Sequence, residues 1–323
     1  MSVAAVRNDR KPWFASISSY GIFLVLAAVY AIAILSSHAF LNPTYIFNIV
    51  RQAAPVGIAA IGVTYVMILG EVDLSVGAVI SAAVLVAAAL MNGDASNIPL
   101  AIIGTCLMGV IVGGINGFLV AYGRVSSFIL TLGTGLALSG LIQVYSGGTA
   151  KGVVSPGFRE FFNFRVSGMV PVLAIVFLAL AVIGALYLRR SQFGRRLYLC
   201  GSNRMSATLS GLPVRRTILV AYMFSGFFGA LAGLALVARS GVSSTLAGQG
   251  LEFQVLAAVV LGGTTFDGGR GNVGGTIAGC LVLLIAFNLV NVAGLSFYAQ
   301  LIVMGVIIIA ASTIHGRVSA RST

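Results

Sequence analysis

The stretch Arg189–Arg216 reads RRSQFGRRLYLCGSNRMSATLSGLPVRR. It separates two apolar runs, AIVFLALAVIGALYL at 174–188 and TILVAYMFSGFFGALAGLALVA at 217–238. A helix needs about 20 apolar residues to cross the hydrocarbon core of a bilayer, and these runs are of that order. Between them lie Arg189, Arg190, Arg195, Arg196, Arg204, Arg215 and Arg216 with no acidic residue. Pushing arginines into the bilayer costs on the order of 2.5 to 3.5 kcal/mol each on an insertion scale, so the island stays in water while its flanks enter lipid.

The same alternation runs along the whole chain. Of 323 residues 59% are hydrophobic and only 8% charged, against roughly 25% charged in soluble domains. No polar stretch is long enough to fold alone, so 1–323 reads as a single transmembrane domain with one cytoplasmic loop at 189–216. Backbone groups in lipid must be satisfied internally, which favours an all-α, polytopic fold. Ten candidate spans follow, at 18–37, 52–69, 75–91, 98–122, 126–146, 169–188, 217–238, 251–264, 274–292 and 296–313. The third, eighth and tenth are short and suit tilted helices, half-helices or re-entrant pieces. The first exceeds the usual signal-peptide core and reads as a retained helix, despite SHA at 37–39.

With a cytoplasmic N-terminus, ten spans place Arg7, Arg10, Lys11, Arg124, the seven island arginines, Arg270, Arg317 and Arg321 inside. Arg51, Lys151, Arg159, Arg165 and Arg239 are left outside. That bias follows the positive-inside rule and puts both termini in the cytoplasm. It also accounts for the net charge of +12 without nucleic acid as a partner.

Within the island, Asn203 suits a helix N-cap, Arg204 to Ser210 suffice for two turns, and Gly211 fits the left-handed C′ position before Leu212 and Pro213. Two readings stand: an arginine anchor for anionic membrane lipid, or a capped helix whose small residues Ser206, Ala207, Thr208 and Ser210 enter a groove on another protein.

The segments GEVDLSVGAVIS (70–81), NGFLVAYGRVSSFILTLGTGLALSGL (116–141), FGRRLYLCGSNRMSATLSGLPV (193–214) and GLEFQVLAAVVLGGTTFDGGRGNVGGTIAG (250–279) carry a resemblance. In this order they resemble the permease subunits of ribose, xylose, arabinose and galactoside type ABC sugar importers of the bacterial inner membrane. The resemblance implies that the chain forms the translocation pathway for a sugar or sugar-like small molecule. It implies as partners a cytosolic ABC ATPase, which would carry ATP and Mg, an extracytoplasmic solute-binding protein, and a second permease chain, identical or different. The stretch Asn203, Arg204, Met205, Ser206, Ala207, Thr208, Leu209, Ser210, Gly211, Leu212 would be the coupling helix that meets the ATPase. Glu71 departs from the family, which usually has an uncharged residue there.

The residues themselves support part of this. The only lysines, Lys11 and Lys151, precede Pro12 and Gly152, so no GK[ST] phosphate loop exists. No cofactor is expected on this chain. His38 and His315 lie near opposite faces and no Cys/His cluster has metal spacing, so no catalytic or metal site is expected; Cys106, Cys200 and Cys280 suggest no disulfide framework. Polar residues within spans, Asn116, Thr131, Asn288 and Asn291, are pathway candidates, and each also suits interhelical hydrogen bonding. Asp73, in the glycine-flanked break GEVDLSVG, is either a pathway group or a cap for the helix after Ser75. Asp267, in the break GGTTFDGG (262–269), is likewise either a pathway group or part of a plain turn with Gly268 and Gly269. In the outward-facing loops expected at 147–168 and 240–250, Lys151, Arg159 and Arg165 are candidates for docking the binding protein. The alternative function is a proton- or sodium-coupled secondary transporter using Glu71, Asp73, Glu252 or Asp267. The GxxxG spacings at Gly109/Gly113/Gly117, Gly229/Gly233 and Gly275/Gly279 predict close helix packing.

Overall fold

Short polar signals set the helix ends. Asn42 accepts a hydrogen bond from the Thr44 amide at 2.9 Å and Pro43 occupies the first turn, so helix α2 begins at Pro43 rather than at 52. In this computed structural model residues 12–296, 298–306 and 309 are described, with side chains from Gly21 onward. The chain runs through α1 (Pro12–Ser36), α2 (Pro43–Ile68), α3 (Val76–Met91), α4 (Ile98–Gly123), α5 (Ser127–Ser146) and α6 (Pro156–Asn163). A minimal hairpin, β1 (Arg165–Val166) with β2 (Val170–Pro171), precedes α7 (Val172–Arg190), α8 (Gln192–Ser202), α9 (Arg204–Leu209), α10 (Val214–Ser240), α11 (Leu251–Leu261) and α12 (Val273–Val292).

Among the described residues six helices are long and apolar enough to cross a membrane: Pro43–Ile68, Ala95–Gly123, Ser127–Ser146, Val172–Arg190, Val214–Ser240 and Val273–Val292. Gly21–Ser36, Val76–Met91 and Leu251–Leu261 are shorter apolar helices. Nine of the ten expected spans thus have a helix, and the chain is a polytopic membrane protein. The tenth, 296–313, falls partly outside the described residues, as do the termini with Arg7, Arg10, Lys11, His315, Arg317 and Arg321. At 1.5 Å per residue the 11 residues of α11 reach only about 16 Å. It is too short to cross a bilayer by itself, as the length of that candidate span suggested.

Two polar regions hold more structure than their sequence promised. The segment between α5 and α7 carries α6 and the hairpin, registered Arg165 to Pro171 and Val166 to Val170, a small exception to an all-α chain. The island carries α8 ahead of α9. Ser191 caps α8 by accepting from the Gly194 amide at 2.9 Å, Leu197 and Cys200 turn inward, and Phe193 stacks 5.5 Å from Phe224 of α10.

α10 is the hub, packed on α4, α2 and α3, while α12 joins α2 to α11 and α1. The seam between α4 and α10 is built on glycine. A Cβ on Gly109 would collide with the carbonyl oxygen of Gly226, one on Gly113 with that of Tyr222, and one on Gly117 with the Leu219 backbone. Gly233 meets α3 and Gly279 meets α11 in the same way, so the GxxxG spacings do mark close helix contacts. The outward faces of α4, α5 and α7 expose Ile103, Leu107, Leu136, Leu141 and Ile183, as lipid contact requires.

The helix ends sort into two sets. At one end the Gly269 amide donates to Ile68 O at 2.8 Å and the Tyr198 hydroxyl to Gly271 O at 2.7 Å, gathering both glycine breaks with α8. At the other, Arg51 donates to Asn163 at 2.6 Å, Arg239 to Gln52 O at 2.9 Å and Ser243 to Lys151 O at 2.8 Å.

Gly226→Leu should therefore destabilise the protein by about 1 to 3 kcal/mol or more through overpacking. Gly114→Ala should be neutral, because the added methyl meets Met223 Cγ at an ordinary 3.7 Å. Thermal unfolding in detergent of both variants checks this; equal stability would refute the seam.

Candidate functional site

Between α2 and α3 the chain passes through Gly70 at φ 73° and continues without helical hydrogen bonds to Ser75. Its backbone groups need partners at a depth where water is scarce. Helix α5 provides them one turn apart: the Val72 amide donates to Ser127 Oγ at 3.3 Å and the Leu74 amide to Thr131 Oγ1 at 3.0 Å. From α10, the Tyr222 hydroxyl donates to Val72 O at 2.9 Å. Asp73, fully enclosed, accepts from the Ser75 amide at 3.0 Å, from Ser75 Oγ at 2.6 Å and from Ser225 Oγ at 2.6 Å. Asn116 donates to Ser75 Oγ at 2.9 Å and accepts from Thr134 Oγ1 at 2.7 Å.

Three of the pathway candidates, Asp73, Asn116 and Thr131, thus belong to one buried network that holds the extended segment. Asn288 is elsewhere, donating to Leu284 O at 2.8 Å, with Tyr45 and Gln52 nearby. Asn291 is exposed and accepts from Gln300 at 2.7 Å. The five do not form one site.

Two further non-helical segments lie close by. After α10 the chain turns back, so that the Gly248 amide donates to Ser81 Oγ of α3 at 2.8 Å before α11 starts. The segment expected as an outward-facing loop, 240–250, is therefore partly re-entrant. Following α11, Gly268 and Gly269 adopt φ of 78° and 69° beside an exposed Asp267, the plain turn of the two readings. Asn272 then caps α12 through the Gly275 amide at 2.6 Å.

The island's cap grammar is met in detail. Asn203 accepts from the Ser206 amide at 2.9 Å. At the other end the Leu212 amide bonds Ala207 O and the Gly211 amide bonds Thr208 O, both at 3.0 Å, with Gly211 at φ 74°, which is the Schellman closure. The outward face differs from expectation. Ala207 points into the protein at 5% exposure, whereas Met205 and Leu209 are 71% and 81% exposed. Ala207 therefore cannot lead α9 into a groove. The missed signal was a pair of large apolar residues at i and i+4 on a polar helix.

Arg204 opens α9 and reaches back to the break, donating to Leu69 O at 3.1 Å and to Glu71 Oε1 at 2.5 Å. It is the only ion pair among the described residues. Glu71, unexplained by sequence, is the island's acidic counterpart. Arg204, Arg124, Arg215 and Arg216 with Glu71 line an open cavity of about 1010 Å³ between the α4–α5 turn and the start of α10. Burial raises the Tyr198 phenol above its ordinary range, so it stays a hydrogen-bond donor to Gly271.

Of the cations expected to dock the binding protein, Lys151 is exposed and donates to Tyr145 O at 2.7 Å, and Arg159 is exposed beside Gly241. Arg165 is half-buried and engaged with Asn48 at 2.9 Å. The four carboxylates suggested for ion coupling have unlike surroundings: Glu71 is ion-paired, Asp73 is held by serines, Glu252 is half-buried on the first turn of α11, and Asp267 is exposed. No group of His, Cys, Asp and Glu suited to a metal ion occurs among the described residues, and all three cysteines are free.

Residues 45–312 match the family described as branched-chain amino acid transport system / permease component. The ribose import permease protein RbsC of Bacillus subtilis (strain 168) is 38% identical over 304 residues, covering 93% of each chain. The D-allose transport system permease protein AlsC of Escherichia coli (strain K12) is 34% identical over 98% of each. The xylose transport system permease protein XylH of Escherichia coli (strain K12) is 29% identical over 93% of each. With its multi-pass helical fold and this near full-length match, the chain belongs to the permease family of binding-protein-dependent ABC transport systems, as a non-catalytic membrane subunit.

Proposed function

We propose that the chain forms the translocation pathway of an ATP-driven importer for a sugar or sugar-like solute. The family description speaks of branched-chain amino acids, but the ribose, allose and xylose permeases match over almost the entire chain, which favours sugar. Its partners are a cytosolic ABC ATPase, which holds ATP and Mg, an extracytoplasmic solute-binding protein, and a second permease chain, identical or different. The single domain 1–323 crosses the bacterial inner membrane ten times with both termini in the cytoplasm, and its loop 189–216 meets the ATPase.

The observation that carries this reading is α9: capped at both ends, presenting Met205 and Leu209 outward, and tied through Arg204 to the break before α3. In this role Asn203 to Leu212 dock into the ATPase, with Met205 and Leu209 as the apolar contact. Arg189, Arg190 and Arg195, exposed on the island, remain available to anionic lipid. Asp73, Asn116 and Thr131 shape the pathway by holding its broken segment, while Asn288 and Asn291 stand toward the outer end. Lys151 and Arg159 offer charge to the binding protein beside exposed Val153 and Phe161, with Arg165 bracing the loop.

Proteoliposomes holding permease, ATPase and binding protein should take up sugar only with ATP, and uptake should survive collapse of proton and sodium gradients. Gradient-driven uptake without the ATPase would establish the secondary-transporter alternative instead.

Leu209→Glu should weaken the complex with the ATPase by about 30-fold, since burying a leucine is worth about 2 kcal/mol. Insertion should be unaffected, and Ala207→Trp should act on thermal stability because its site is internal. Co-purification and melting separate the two; unchanged assembly with Leu209→Glu rejects the docking role.

In a chain with its native cysteines replaced, Val153→Cys should react with an impermeant thiol reagent from outside. Met205→Cys should react only after permeabilisation. Both positions are exposed, so labelling of both from one side overturns the topology.

A further inference from the structure

We propose that the Glu71–Arg204 ion pair is the transmission contact that carries movement of α9 to the non-helical segment before α3. The proposal rests on α9 being the ATPase-docking helix and goes beyond it by naming the residue that receives the motion.

Arg204 is the first residue of α9, and its guanidinium donates twice to the α2 exit, to Leu69 O at 3.1 Å and to Glu71 Oε1 at 2.5 Å. Glu71 is followed directly by the segment whose backbone is held by Ser127, Thr131 and Tyr222, and by Asp73 with its bonds to Ser75 and Ser225. A displacement of α9 therefore acts on Glu71, and through two residues of extended chain on the network that joins α3, α4, α5 and α10. The Glu71 side chain is enclosed, at 9% exposure, while the Arg204 side chain is 48% exposed. One partner is anchored in the protein and the other rides on α9. The rest of α9 offers no comparable handle, since Met205 and Leu209 face outward and Ala207 bonds only within its own cap. Glu71 is thus a positioning residue, which acts through the segment it begins.

The test uses the assembled complex of permease, ATPase and binding protein. Glu71→Ala should lower solute-stimulated ATP hydrolysis and uptake about tenfold, while assembly and unstimulated hydrolysis stay unchanged. Half-exposed Arg204 then reaches water, so the variant should fold and melt as the parent does. Glu71→Gln keeps an acceptor oxygen for Arg204 and should restore most of the stimulation. Adding Arg204→Ala to Glu71→Ala should reduce stimulation no further than the lower of the two single variants, because residues acting through one contact are not additive. Full stimulation in Glu71→Ala, additive losses in the double variant, or failure of Glu71→Ala to assemble would each overturn the proposal. If Leu209→Glu also assembles and transports normally, the docking reading itself has failed; a failure confined to the Glu71 variants removes the transmission contact alone.

Discussion

An extended peptide inside a membrane protein must find a hydrogen-bond partner for each polar backbone group, because lipid offers none. Residues 70–75 impose that demand here, and much of the surrounding structure answers it. Ser127 and Thr131 lie one turn apart on α5 and receive two successive outward amides of the segment, Val72 and Leu74. A helical rise of about 5.4 Å per turn is close to the rise of two extended residues, so a serine and threonine at i and i+4 can serve amides at j and j+2. Tyr222 and Ser225, also about one turn apart on α10, reach Val72 O and Asp73 from the other side.

This arrangement works only if α10 stands close to its neighbours, and that closeness comes from glycine. Gly226 sits one residue from Ser225, against Gly109 and Gly113 of α4, with no room for a side chain. The helix contact that glycine permits also brings Asn116 to Ser75 and Thr134, where its amide donates and accepts. An interhelical hydrogen bond in a membrane averages only about 0.6 kcal/mol. The network therefore works by fixing geometry at several points rather than by any one strong bond.

The sequence made the class, the apolar segments and both ends of α9 legible, because each follows from a local rule. Hydropathy marks spans, Asn203 and Gly211 mark caps, and the GxxxG spacings mark packing. What it left obscure depends on contacts distant in the chain. Glu71 had no visible purpose until Arg204, far along the sequence, came beside it. Ala207 passed for a surface residue because α9 is too short for periodicity to reveal which side faces inward. The 240–250 segment passed for an outer loop because polarity alone does not distinguish water from a serine such as Ser81 offered by a neighbouring helix. Helix α6 was hidden by its mixture of charged and aromatic residues, which reads equally as loop.

The two kinds of contact around the break differ in how readily they yield. The Asp73 network is buried on every side, and an enclosed polar group stripped of a partner costs about 1 to 3 kcal/mol, so it resists partial opening. The Glu71–Arg204 pair is open to water on its arginine side, where screening weakens it relative to a fully buried pair. It adds little to the stability of the fold, which is compatible with a contact that must change its length as α9 moves. A rigid network next to a yielding one localises movement at their junction. That junction is residue 72, flanked by an enclosed Asp73 on one side and Glu71 on the other. In the proposed transmission, motion entering at α9 would pass to the start of α3 as a displacement of the extended segment, while the close glycine packing holds α4 against α10.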